Sequence, residues 1–203
     1  MSKRRSDAQQ TRKQLIEAGR KAFAKKGLKG TVLRDDVLRP AGVSTGSFYH
    51  QFENKTDLLL SILKDNANSY RPNVLEAMKP REGSTLEDIV RSAYTQTFDN
   101  ADENGDIFQI ASRERGSTDT RIALYLEDDR KLWQLGLAKS YEKLFPNSSP
   151  KKNLLTANII LHQGLGVVED YLKLPKSERL IARKEILDAL VKFSVGGIEY
   201  FLR

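Results

Sequence analysis

Gly42-Val43-Ser44-Thr45-Gly46-Ser47-Phe48-Tyr49-His50-Gln51-Phe52-Glu53-Asn54-Lys55-Thr56-Asp57 decides how the rest of the chain is read. Gly42 suits a tight turn, and Ser44 suits the N-cap of a helix that ends near His50. Asn54 then caps a new helix beginning at Lys55. A helix of about two turns cannot persist alone in water, because its nucleation cost is not recovered over so few residues. Neighbouring elements must hold it. Val43, Phe48 and Phe52 are the apolar side that such neighbours would cover. Ser44, Thr45, Gly46, Ser47, Tyr49 and His50 are left to face outward.

Upstream, Leu15, Ala18, Gly19, Ala22 and Phe23 recur at helical spacing with Arg12, Lys13, Glu17, Arg20, Lys21 and Lys25 between them. Thr11 with Gln14 reads as a capping box, and Gly27 as a stop, which predicts a first helix over 11–26. Thr31 is the expected cap of a second helix reaching Arg39, where Pro40 should end or tighten it. Downstream, Leu58, Leu59, Ile62 and Leu63 give the helix from Lys55 its apolar stripe. Ser84 with Glu87 should open another helix, and a short one should follow between Gly105 and Gly116. A long helix is expected over 118–145, one over 151–172 and a last one from Ser177 onward. The chain reads as all-α, with about nine helices and no strand alternation.

The 203 residues are 39% hydrophobic, enough for a substantial core. Cysteine is absent, which excludes disulfides and thiolate metal sites, and the two histidines, His50 and His162, lie far apart. No metal, cofactor or catalytic residue is expected. Lys3, Arg4 and Arg5 lead into a polar run and not an apolar one, and no stretch is apolar enough to span a bilayer, so a cytoplasmic location without membrane attachment is the expectation. Charge is unevenly placed. Residues 1–60 hold 13 Lys/Arg against 6 Asp/Glu, whereas residues 61–203 hold 21 of each. A basic end on a neutral body is the electrostatic footprint of a phosphate-binding module, and equally of a solvated face with no partner. The outward set of the short helix tips the balance. Small hydroxyls and a flat glycine surface suit the major groove of DNA, where a helix presents its N-terminal residues to base edges.

Three features in order resemble the N-terminal domain of TetR-type transcriptional regulators. They are the Thr-capped basic helix ending Phe23-Ala24-Lys25-Lys26-Gly27, the turn Ala41-Gly42-Val43-Ser44, and Gly46-Ser47-Phe48-Tyr49-His50-Gln51-Phe52 followed by Lys55 and Leu58. The resemblance implies a three-helix helix-turn-helix domain over 1–54, joined through the helix from Lys55 to a larger helical domain over 55–203 that binds an effector and dimerises. It implies that Tyr49, His50 and Lys55 contact backbone phosphates of a double-stranded operator. Thr11 and Thr31 could add contacts as helix caps, and Lys3, Arg4 and Arg5 could form an arm over the backbone. Helix two departs from the family pattern. Leu38 replaces a small alanine, Arg34 stands at a usually apolar position, Pro40 occupies the last turn, and Thr45 replaces a frequent lysine.

For the body, the resemblance implies a homodimer through the last two long helices, and the residues support it independently. Gly164, Gly166, Gly196 and Gly197 sit mid-helix, where each costs roughly 1 kcal/mol relative to alanine unless backbones approach closely. Tyr94, Phe98, Trp133, Tyr141, His162 and Gln163 are candidate linings for a small hydrophobic or amphipathic effector, or simply core. The reading is a repressor released from its operator by that effector. The alternative is a DNA-binding regulator that is ligand-independent or controlled by another protein.

Overall fold

The computed structural model of the chain describes the backbone of residues 3–203 and the side chains of residues 7–203 other than Lys176. The arm suggested for Lys3, Arg4 and Arg5 concerns side chains outside the described residues. Eight α-helices and no strands occur among the described residues. They are α1 (Lys3–Gly30), α2 (Arg39–Ala41), α3 (Thr45–Tyr49), α4 (Lys55–Ala77), α5 (Leu86–Glu114), α6 (Thr120–Leu144), α7 (Pro150–Leu172) and α8 (Arg183–Leu202). A π-helical turn at Leu33–Leu38 precedes α2, and a 3₁₀ turn at Lys176–Glu178 precedes α8.

The helical boundaries differ from the sequence expectation in instructive places. Helix α1 begins eight residues before Thr11, so Thr11 is not a cap; its hydroxyl donates back to Asp7 O at 2.9 Å. Regular geometry breaks at Gly27, which takes φ 68°, a value glycine adopts without strain. Thr31 is also not a cap. It is buried and its hydroxyl donates to Gly27 O at 2.7 Å, while the Asp36 carboxylate accepts the Val32 N–H at 2.8 Å. Thr85 and Asp88, one residue beyond the expected pair, form the capping box of α5. The two helices expected on either side of Gly105 are one, α5, kinked at Asn104. The last helix starts at Arg183, several residues later than expected, after the 3₁₀ turn.

Helix two holds the main surprise. Pro40 has no N–H to donate, and in an α-helix its ring would press on the carbonyl four residues back. The backbone widens instead. Arg39 N–H reaches Arg34 O, five residues back. At the left-handed Gly42, the Val43 and Gly42 N–H groups close the end of α2 onto Leu38 O and Arg39 O respectively. In this geometry Leu38 is buried with Val37 in the core, and the bulk that departs from the family pattern is accommodated.

The described residues form two compact units. One comprises residues 1–67 with 106–127, the other residues 68–105 with 128–203; α4, α5 and α6 each contribute to both. The core of the first unit is built from Leu15 and Phe23 of α1, Val37 and Leu38, Phe48, Phe52, Leu58, Leu59 and Ile62 of α4, Ile107 and Ile110 of α5 and Ile122 of α6. The second unit buries Tyr94 and Phe98 of α5, Tyr141 of α6, Ala157 and Val168 of α7 and Leu190, Val191 and Ile198 of α8.

Candidate nucleic-acid interface

Helix α3 is five residues long, and each end is fastened. Gly42 turns the chain with φ 64°, and nothing lies within 4 Å of where a Cβ would be, so conformation alone requires glycine there. Ser44 Oγ accepts the Ser47 N–H at 3.1 Å and lies 2.9 Å from Ser47 Oγ. Below, the Phe48 ring is 0% exposed and packs against Phe52 with centroids 5.8 Å apart. The Arg12 guanidinium of α1 covers the Phe52 ring at 4.7 Å, and Gln51 Nε2 donates to Ala8 O at 3.2 Å. Val43 is half-buried against the same core.

With its underside covered, α3 turns the remaining side chains to solvent. Thr45, Gly46, Tyr49 and His50 are exposed and Ser47 half-buried. Tyr49 is 58% exposed, yet its ring stands edge-on to Phe48 at 5.3 Å, which orients the phenol. Asn54 Oδ1 accepts the Asp57 N–H at 3.0 Å and so caps α4.

Lys55 has a second employment that sequence reasoning missed. Its ammonium donates to Leu28 O at 2.7 Å and Thr31 O at 3.0 Å, just past the break in α1. An ammonium has three donors, so one N–H remains for an external acceptor. The N–H of the same Leu28 is held at 2.7 Å by Glu114 of α5, a carboxylate only 7% exposed. One peptide segment is thus gripped by opposite charges from two helices. Nothing local in the sequence marks Glu114, since its partner lies 86 positions away. Two more pairs of this kind tie the unit together. Arg20 grips Asp106 with two hydrogen bonds of 2.7 and 2.6 Å, and Thr56 donates to Asp119 at 2.9 Å. Hydrogen bonding to Asp106 raises the Arg20 pKa further, against the opposing effect of burial.

The six residues put forward as effector linings are not all brought together: Tyr94, Phe98 and Tyr141 are buried, whereas His162 is exposed. Tyr94 is buried, with its hydroxyl 2.8 Å from Ser194 Oγ, and burial pushes its pKa up to about 12. Tyr141 is fully buried; burial first and the neighbouring Tyr94 second raise its pKa. Phe98 is core, edge-on to Tyr171 at 5.1 Å. Trp133 is half-buried beside Tyr70 at 5.3 Å, with the Arg71 guanidinium over its ring. Gln163 is half-buried. His162 is exposed on α7, its Nδ1 2.7 Å from Asn158 O, away from the buried tyrosines.

Residues 15–62 match the sequence model of the bacterial regulatory proteins of the tetR family. Among curated proteins, it is 42% identical over 59 residues to the HTH-type transcriptional regulator TtgR of Pseudomonas putida, covering 29% of this chain and 28% of that one. It is 33% identical over 87 residues to the HTH-type transcriptional repressor KstR2 of Rhodococcus jostii, 41% of each chain. With the HTH-type transcriptional repressor NemR of Escherichia coli it shares 29% over 97 residues, 48% of each. The matched stretches therefore span less than half of these relatives' own length. Similarity of fold extends much further. A TetR-family transcriptional regulator from Syntrophomonas wolfei superposes with TM-score 0.73 at 21% identity, over 94% of this chain and 96% of that one. The reduced form of E. coli NemR gives 0.68 at 20% identity, over 92% and 95%. At these identities the likeness is one of fold. Among the described residues, no helix is long and apolar enough to cross a membrane.

Proposed function

We infer that the protein is a DNA-binding transcriptional regulator, a repressor that acts as a homodimer and leaves its operator when a small molecule binds its body. Residues 1–54 are the DNA-binding domain, and residues 55–203, entered through α4, sense and dimerise. The observation that carries this reading is α3: a five-residue helix pinned by Phe48 and Phe52, with hydroxyl, glycyl, phenol and imidazole groups outward at the basic end of the chain. The outer face of this helix matches what base edges and phosphates accept. In this reading Thr45 and Ser47 meet bases, and Tyr49, His50 and the spare N–H of Lys55 meet phosphates. Thr11 and Thr31 drop out of this set, because both hydroxyls are used inside the fold.

The dimer reading is supported by the outer faces of α7 and α8. On α8, Phe193, Gly196, Gly197 and Tyr200 fall at helical spacing, and Phe193 and Tyr200 are 75% and 83% exposed. On α7, Leu155, Ile159 and Gly166 make a similar stripe. A Cβ at Gly166, Gly196 or Gly197 would meet nothing within 4 Å, so these glycines leave room for something outside the chain. Gly164 is different, since its Cβ would lie 3.0 Å from the Tyr94 ring. Two copies paired about a two-fold axis would cover this surface with itself.

The test is binding to a DNA site obtained by in vitro selection, followed by fluorescence anisotropy against salt. Tyr49→Ala should weaken binding about tenfold, the cost of one lost phosphate hydrogen bond. Lys55→Met should flatten the salt dependence by about one unit. It should also lower the melting temperature, because the Leu28 and Thr31 carbonyls lose their donor. Parent-like affinity in Tyr49→Ala would place the DNA-facing surface elsewhere. An unchanged slope in Lys55→Met would leave Lys55 a purely internal clamp.

A further inference from the structure

Buried polar groups are normally hydrogen-bonded, and the second unit contains a set that is not. Tyr141 Oη is fully buried without a protein partner. On α7, both polar atoms of Asn153 and the hydroxyl of Thr156 are buried and unpaired as well. Asn153 and Thr156 lie on the same buried face of α7 as Gly164. Gly164 in turn is the point where α7 meets the Tyr94 ring, and Tyr94 is the neighbour that acts on Tyr141. From Gly164 to Thr156 is eight residues, about 12 Å along the helix. Asn153 and Thr156 themselves lie a turn apart on one buried face of α7, and Tyr141 is buried within the same unit.

A set of this composition selects among ligands. Tyr94 and Ser194 already satisfy one another. The free capacity of Tyr141, Asn153 and Thr156 is a phenol, a carboxamide and a hydroxyl, all able to donate and accept. Arg71 Nε, Asn100 Nδ2 and Ser148 Oγ are also unpaired in this unit, but the Arg71 charge is already paired with Asp129. No carboxylate, ammonium or guanidinium is bonded to Tyr141, Asn153 or Thr156. A charged group brought here would be desolvated without a counter-charge, at a cost far above what hydrogen bonds return. The strong upward displacement of both phenol pKa values has the same cause, a medium that disfavours charge.

We propose that Tyr141, Asn153 and Thr156 are the polar contacts of an effector site that takes an uncharged molecule, an apolar frame bearing hydroxyl, carbonyl or amide groups. The site deepens the effector reading given above and rests on it. Its residues are poorly placed for stability alone, as expected of groups kept for a ligand.

The full chain would be tested by thermal shift with three probes on one frame: biphenylcarboxamide, biphenylcarboxylate and biphenylmethylammonium. The amide should raise the melting temperature in a dose-dependent way, and the two charged analogues should not. Tyr141→Phe and Thr156→Val, which remove hydroxyls with little change of shape, should melt at or above the parent temperature. Both should bind the selected DNA site like the parent, while their affinity for the amide falls about five- to tenfold, as for one hydrogen bond. If both variants melt several degrees lower, the hydroxyls are paired within the fold and the proposal fails. It fails equally if the amide gives no shift, if its shift is the same in both variants, or if a charged analogue gives the larger one. DNA binding by the parent without any probe is measured in parallel. Its absence would sink the regulator reading, and its presence with a failed probe series sinks the effector assignment alone.

Discussion

Phe48→Ala should cost about 3–5 kcal/mol of stability and abolish operator binding, the range for removing a fully buried phenylalanine with incomplete collapse around the cavity. Phe48 has no solvent exposure, and it supports Tyr49 at 5.3 Å and Phe52 at 5.8 Å. Helix α3 has only five residues, so its own backbone hydrogen bonds cannot hold it once that anchor is gone. Typical domain stability is about 5–15 kcal/mol, so the loss is a large part of the whole. Urea unfolding with anisotropy on the same samples measures both effects. Phe48→Leu should recover most of the stability and part of the binding. A Phe48→Ala protein with parent stability would mean that α3 is held by something other than this ring.

Replacing both Phe193 and Tyr200 with aspartate should convert a dimer at micromolar concentration into a monomer, read by sedimentation velocity. The inner face of α8 is fully engaged within the chain by Leu190, Val191, Ser194, Ile198 and Leu202. The substituted residues lie on the other face, so the folded monomer should survive and its helical content should not change. Exposed aromatics of this kind are the anchors that dominate interface energies, at about 2–4 kcal/mol each. Four are removed per dimer, since a two-fold interface counts every residue twice. Affinity for a palindromic site should fall at least about a hundredfold, because the second half-site then no longer binds intramolecularly. A variant that stays dimeric would assign the interface to another surface.

The division of α3 into a covered and an outward side was legible because it depends on residues a few positions apart. Ser44, Phe48 and Phe52 carry it, and local chemistry suffices. Asn54 was legible as a cap for the same reason. Thr31 was misread because its environment is set by Gly27 and by burial against the core, neither visible in a capping pattern. Glu114 was invisible because a buried carboxylate is betrayed only by a partner far away in the chain. The kink at Asn104 falls beside Gly105, whose flexibility reads as a break although the helix continues through it. Among the effector candidates, aromatic character marked Tyr94 and Tyr141, and both are buried in the second unit. Sequence reasoning passed over Asn153 and Thr156, because a polar residue on a helix is ordinarily assumed to face water.

A π-turn is equivalent to an α-helix into which one residue has been inserted, so the turn at Leu33–Leu38 carries one more residue than an α-helix of the same rise. Pro40 is what keeps that extra residue in place. Deleting one residue from the turn would restore α geometry and drive the proline ring onto the preceding turn; replacing Pro40 alone would remove the obstacle but leave the surplus residue. Made together, the two changes compensate. The segment leading into α3 is thus a point of reciprocal epistasis, and sequences that lose the proline without losing a residue, or the reverse, would seat α3 in a different register from this one.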